Sequence, residues 1–355
     1  MYKLYPPSDD LIEVVEIILN EDQASTLDVF TRHLAEAGGP SVSGVEKTAK
    51  HYAELFASKL SLKQKAYLDN YADGQLAVLM FTGMLVPRDF DIPDVLPSLA
   101  VLEHDSRGNY LAARNQLLLC LAQQRTFAFD MDNDGKIVRF VANFKGDGRT
   151  PRDDEAPAHP VNLSSHAGIG LGPHTEAPYH CSVHSRDLHS PAPSSLILTA
   201  LWNPLDEPTH VIPLGRILDE ISIRDALALT SRSFRYTRSD SFLQGKGEQD
   251  SSVSILEFDP QGEFSVRYNS YRFSVLPDAS PLIKKAFMNF KSRVRSAMPI
   301  AFVLQASSAL IINNSRALHC REIIQDNRRL LVRLFGYSRF AEPIILNDDP
   351  LIVQG

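Results

Sequence analysis

His174 and Glu176 stand two residues apart in the stretch Gly172-Pro173-His174-Thr175-Glu176-Ala177-Pro178-Tyr179-His180, and this pair limits what the chain can fold into. In a β-strand, residues i and i+2 point to the same face, so an imidazole and a carboxylate at this spacing converge on one ion. A second stretch near the end, Asn313-Asn314-Ser315-Arg316-Ala317-Leu318-His319, offers another imidazole. Two histidines and one carboxylate make the facial triad that holds non-haem Fe(II) with coordination positions left open. The fold must then gather three side chains, distant in the chain, around a single ion. An H-x-E pattern alone is weak, because common residues recur at that spacing by chance. What strengthens it is the apolar, arginine-bearing run after His319: Arg328-Arg329-Leu330-Leu331-Val332-Arg333-Leu334-Phe335.

The pairing of His-Thr-Glu with a distal histidine, and an arginine fourteen residues beyond it, resembles the clavaminate synthase-like branch of the TauD-type Fe(II)- and 2-oxoglutarate-dependent oxygenases. The resemblance spans roughly residues 70 to 340, with the motifs at its two ends its most specific part. It implies Fe(II) held by His174, Glu176 and His319, with 2-oxoglutarate as cosubstrate and dioxygen as oxidant. It assigns Arg333 to the far carboxylate of 2-oxoglutarate, and Thr209 to a hydrogen bond with the same group. Arginine suits that role because its planar fork matches a carboxylate bidentately, which lysine does not reproduce. Arg329 is expected to be structural, in a salt bridge beneath the site. The carboxylate ligand points to hydroxylation rather than halogenation; desaturation or cyclisation begins with the same hydrogen abstraction and stays open.

The chain of 355 residues, 44% hydrophobic and 22% charged, has the composition of a globular protein. A net charge of -7 gives no basic footprint for nucleic acid. No apolar run reaches the roughly 18 to 20 residues of a membrane span, and the N-terminus lacks the apolar core of a secretory signal. Three cysteines without C-x-x-C spacing argue against a disulfide framework, so a cytoplasmic setting is expected.

Residues 8–66 are expected to be helical. Asp9 and Asp10 would cap a first helix whose apolar stripe is Leu11, Val14, Val15, Ile18 and Leu19, and a second follows at 46–60. Residues 75–81 read as a buried strand, and 109–124 as a helix leading into a strand at 126–129. Residues 130–135 mimic the opening of an EF-hand loop, but its twelfth position is Val141 rather than a bidentate glutamate, so Asp134-Gly135 is taken as a hairpin turn before a strand at 136–142. Residues 145–160 read as a surface loop. The glycines of 168–172 lack the helix that a phosphate loop needs. Strands are expected at 194–202, 209–214, 252–258, 264–268, 302–304 and 309–313, with helices at 214–228 and 280–297. This is a mainly β chain with helical additions, and the resemblance implies a double-stranded β-helix, or jelly-roll, core. A single domain over 1–355 is expected, with 1–66 as an N-terminal helical layer.

For substrate, Ser164, Ser165, Tyr179, Asp240 and Tyr337 are candidate contacts. Relatives acting on free amino acids carry a second arginine four residues after the cosubstrate arginine. Counted from Arg333 that place is Tyr337, which cannot neutralise a carboxylate. The expectation is an amino-acid-derived small molecule with a masked carboxylate, as in a cyclic dipeptide, an amide or a residue on a carrier protein, made in specialised-metabolite or antibiotic biosynthesis. A free amino-acid hydroxylase is the alternative. His180, His184 and His189, beside Cys181, do not match a structural zinc pattern. A zinc hydrolase, and a silent metal-binding jelly roll, are the competing classes for the triad itself.

Overall fold

The computed structural model describes residues 13–144, 170–180, 183–186, 188–238, 242, 252–259 and 261–355. The expectations placed on Asp9, Asp10, Leu11, Ser164, Ser165, Cys181, Asp240 and the loop 145–160 lie outside these residues. The chain opens with β1 (Val14–Ile18), then α1 (Glu21–Glu36), α2 (Val45–Ala57), α3 (Leu62–Ala72) and β2 (Val78–Thr82). After α4 (Leu99–Leu102) and α5 (Ser106–Leu121) come β3 (Gln124–Phe129), β4 (Arg139–Val141), β5 (Leu171–His174), β6 (Ser195–Trp202) and β7 (Pro208–Pro213). Next follow α6 (Leu214–Leu218), α7 (Ile223–Leu229), β8 (Phe234–Tyr236), β9 (Leu256–Phe258), β10 (Phe264–Val266), β11 (Phe273–Val275) and α8 (Pro281–Ser296). The C-terminal strands are β12 (Ile300–Val303), β13 (Ala309–Asn313), β14 (Ala317–Arg321), β15 (Leu330–Ser338), β16 (Ile345–Asp348) and β17 (Leu351–Val353).

Two sheets build the jelly roll. The larger runs β1-β2-β13-β6-β15-β3-β17-β16, with β4 also on β15; the smaller runs β12-β7-β14-β5. Strand alternation sorts the side chains of the large sheet into two cores. Leu330, Val332 and Leu334 of β15 join Ile311 and Ile197 against the helical layer, where Leu117, Leu118 and Phe56 pack. Leu331 and Phe335 join Leu196, Leu198, Leu310 and Ile312 on the opposite face, toward Val211 and Ala317 of the small sheet. Arg333 shares that second face, so a cation enters the space between the sheets. No helix among the described residues is long and apolar enough to cross a membrane.

Three local expectations are corrected. Val14–Ile18 is a strand, not the start of a helix: it pairs in parallel with β2, and Val15 and Ile17 are buried while Glu16 and Ile18 are exposed. Spacing of apolar residues fits either element over so few residues, and β-branched Val14, Val15, Ile17 and Ile18 favour the strand. The helix starts later, where Asn20 and Gln23 form a capping box on α1. The helix expected over 214–228 is two short ones, α7 being capped afresh by Ser222. Finally, Asp134-Gly135 does not join a hairpin. Both β3 and β4 pair antiparallel with β15, through Phe335↔Phe127 and Arg333↔Arg139, so they lie end to end along one edge of it. Residues 130–138 leave that edge and return to it.

Candidate active site

Cross-strand pairing brings the histidines together. His319 in β14 is directly opposite His174, the last residue of β5, and their rings lie 4.2 Å apart. Glu176 follows just past the strand end, where its backbone N–H donates to Asn314 Oδ1 at 2.8 Å. Thr175, between the two, is pinned by its N–H donating to the Tyr268 carbonyl at 2.8 Å. The ligand atoms of His174, Glu176 and His319 lie within 4.8 Å of one another. His319 Nε2 is 3.5 Å from Glu176 Oε1.

These residues fit a metal ion. His174 Nδ1 is 2.8 Å from the Gly172 carbonyl, which only accepts, so Nδ1 carries the proton and Nε2 keeps its lone pair for an ion. Burial, reinforced by the neighbouring His319, pushes the His174 pKa down to about 3, so the ring is neutral and able to ligate. Burial would push Glu176 up, but the Arg333 guanidinium and His319 outweigh it and hold the carboxyl well below the usual range. Two imidazoles and one carboxylate on one side of a cleft leave the other side open. Among the described residues, no other His, Cys, Asp or Glu group has this geometry.

The cleft is a cavity of about 160 Å³ between the sheets. Thr209 and Arg329 both line it, and Arg329 Nη2 donates to Thr209 Oγ1 at 3.2 Å. Arg329 is 2% exposed, its Nε is buried without a partner, and no carboxylate of the described residues lies within ion-pair distance of it. The side chain lines the cavity; burial pulls its pKa down, and Glu207 is the charge that acts on it against that pull. Arg333 is also in the wall, but its charge is already balanced. Its Nη1 donates to Glu176 Oε1 at 3.0 Å, its Nη2 is 3.5 Å from Asp132 Oδ2, and its guanidinium lies 3.9 Å over the Phe335 ring. Asp132 itself pairs with Arg139 at 2.5 Å.

The remaining expectations divide. Tyr179 lines the cavity and its hydroxyl accepts from Asn269 Nδ2 at 2.9 Å. Tyr337 does not line it: the ring stacks 3.6 Å from Phe127 and the hydroxyl donates to the Pro191 carbonyl at 2.6 Å. Ser164 and Asp240 fall outside the described residues. His180 and His189 stack 4.9 Å apart away from the triad, His180 against the Tyr236 hydroxyl at 2.9 Å and His189 against Arg238 at 3.0 Å. His184 pairs with Glu342 at the surface. Sequence reasoning missed Asp132, Arg139, Phe242, Asn269 and Arg272 in the wall. Arg329 had a usable signal, since it lies an even number of residues before Arg333 and so faces the same way in extended chain. Asp132 had none, because the return of 130–138 to one strand edge is not written locally.

No protein-family model and no curated protein sequence matches the chain. Solved structures do. An asparagine oxygenase in complex with Fe(II), 2S,3S-3-hydroxyasparagine and succinate superposes with a TM-score of 0.70 at 16% identity, over 96% of this chain and 99% of the other. The non-heme iron oxygenase OrfP with Fe and alpha-ketoglutaric acid gives 0.69 at 20% identity, over 91% and 94%. OrfP with Fe, succinate and (3S)-hydroxy-L-Arg gives 0.65 at 21%, over the same shares. With two sheets that bring His174, Glu176 and His319 to one cleft, this chain has the jelly-roll fold of the non-heme iron oxygenases.

Proposed function

We propose that the chain is a single-domain Fe(II)- and 2-oxoglutarate-dependent dioxygenase that hydroxylates an unactivated C–H of an amino-acid-derived small molecule. The observation that supports this reading is the buried triad with a second buried arginine, Arg329, in the same cavity and no carboxylate of the described residues within ion-pair distance of it. His174, Glu176 and His319 would hold the iron, which with 2-oxoglutarate and dioxygen supplies the oxidising power for the C–H bond. A buried guanidinium that has Glu207 acting on it only from beyond ion-pair distance favours an incoming anion. Arg329, with Thr209, is therefore assigned the far carboxylate of 2-oxoglutarate. This changes one assignment: the sequence reading gave that carboxylate to Arg333.

On this assignment Arg333, which the resemblance puts at the cosubstrate arginine fourteen residues after His319, would instead receive a substrate carboxylate. The case for a masked carboxylate rested on Tyr337, which lies outside the cavity lining, stacked on Phe127. The alternative, a free amino-acid hydroxylase, is accordingly the reading preferred here. The asparagine oxygenase and OrfP structures, with hydroxylated amino acids bound, support it. Arg333 would orient the substrate, while Tyr179, Phe242 and Phe335 exclude water from the reacting carbon.

Anaerobic titration with Fe(II) and 2-oxoglutarate tests the first part. The expected result is the weak visible charge-transfer band of the chelate; a zinc hydrolase or a silent jelly roll would give none. The second part is tested by 2-oxoglutarate turnover on free amino acids beside cyclic dipeptides, amides and carrier-bound residues. Turnover confined to the masked forms would sink the free amino-acid assignment and leave the dioxygenase standing.

A further inference from the structure

Asp132 has no place in the triad or the cosubstrate clamp, yet it is buried in the cavity wall between two arginines. It arrives there because residues 130–138 leave the edge of β15 between β3 and β4 and turn inward. Its Oδ1 takes Arg139 at 2.5 Å, and its Oδ2 faces Arg333 at 3.5 Å. The other hand of Arg333 is on Glu176 Oε1, the same oxygen that faces His319 Nε2. An ion held by His319 and Glu176 would share the Glu176 carboxylate with Arg333. The guanidinium is thus shared between a carboxylate that ligates and a carboxylate that does not. We propose that Asp132 is a positioning residue that sets the metal affinity of the triad by drawing Arg333 away from Glu176. The proposal rests on the metal reading of the triad.

The signs follow from the geometry. With Asp132 neutralised, Arg333 keeps one anionic partner and bears wholly on Glu176, so the ion meets a better-paired ligand and one more uncompensated positive charge. With Arg333 removed, Glu176 loses its competitor and the ion loses a nearby cation. With Arg139 removed, Asp132 loses its nearer partner and takes more of Arg333. Asp132→Asn therefore weakens metal binding, while Arg333→Gln and Arg139→Gln tighten it. Partners of metal ligands commonly shift metal affinity on the order of tenfold or more, which sets the size expected here.

The test is Mn(II) binding to the full chain, read from the electron paramagnetic resonance of the free ion, with no turnover required. Wild type should take up one equivalent; no uptake would overturn the metal reading and this inference with it. The expected result is a dissociation constant on the order of tenfold higher in Asp132→Asn and lower in Arg333→Gln. In Asp132→Asn/Arg333→Gln the weakening should vanish, since Asp132 is held to act through Arg333. An unchanged constant in Asp132→Asn, as for an aspartate that only anchors its loop, would overturn the proposal. So would a weakening of equal size in the double variant, which would assign the effect to the bare field of the carboxylate. If Asp132→Asn does not fold, Arg139→Gln decides: tighter Mn(II) binding supports the proposal, and equal or weaker binding refutes it.

Discussion

A guanidinium buried with a hydroxyl as its hydrogen-bond partner and a carboxylate, Glu207, only beyond ion-pair distance is an expensive arrangement to keep, and Arg329 is in it. Arg333, on the same face, has two carboxylates and an aromatic ring. The difference separates their predicted roles more sharply than their positions in the chain do. Arg329→Gln is expected to raise the dissociation constant for 2-oxoglutarate by roughly thirtyfold or more, the loss of about 2–5 kcal/mol typical of a buried charge pair, with a smaller effect on the substrate KM. Arg333→Gln should reverse the pattern, raising the substrate KM most. Isothermal titration with 2-oxoglutarate, beside steady-state kinetics on an active amino acid, checks both. Equal loss of 2-oxoglutarate affinity in the two variants would return the clamp to Arg333. The triad was legible from residue types and spacing, since few side chains ligate a metal. The partner of each arginine was not, because burial and charge balance depend on strands remote in sequence.

At the scale of elements, β15 joins the two halves of the structure. Its Leu331, Arg333 and Phe335 line the cavity, and its Leu330, Val332 and Leu334 face the helical layer. Gly336 lies where α5, β3 and β15 come closest: a Cβ there would stand 3.0 Å from Gln124 Cβ and 3.1 Å from Leu119 Cδ2. Gly336→Ala is expected to destabilise the fold by about 1–3 kcal/mol, the usual range for overpacking. Urea unfolding should show a lower midpoint with an unchanged slope. A midpoint equal to wild type would mean that helix and strand separate more easily than the packing indicates. The long strands and α5 were legible because each shows one apolar period over enough residues. The five-residue β1 was not, since its pairing with β2, rather than its own pattern, selects strand over helix.

At the scale of the whole molecule, buried histidines away from the cleft tie stability to pH. Burial, with His189, Arg238 and Arg267 nearby, pushes the His180 pKa down to about 3. An unfolded histidine titrates near 6.5. Below that value the unfolded chain binds the extra proton, so the contribution of His180 is complete above about pH 6.5 and is lost as pH falls toward 3. The expected slope from this group is up to about 1.4 kcal/mol per pH unit. Urea midpoints at pH 7 and pH 5 should diverge in wild type and diverge less in His180→Gln. An equal divergence in both would place the acid sensitivity elsewhere. The sequence by itself determined the ligand set, the mainly β character with helical additions, and the positions of the longer elements, because those follow from side-chain chemistry and local periodicity. Tertiary structure alone decided which arginine stands beside Thr209, that Tyr337 lies outside the cavity lining, and that Asp132 reaches Arg333. Those depend on sheet register and on where a chain excursion returns, and both are set by pairing between strands far apart in the sequence.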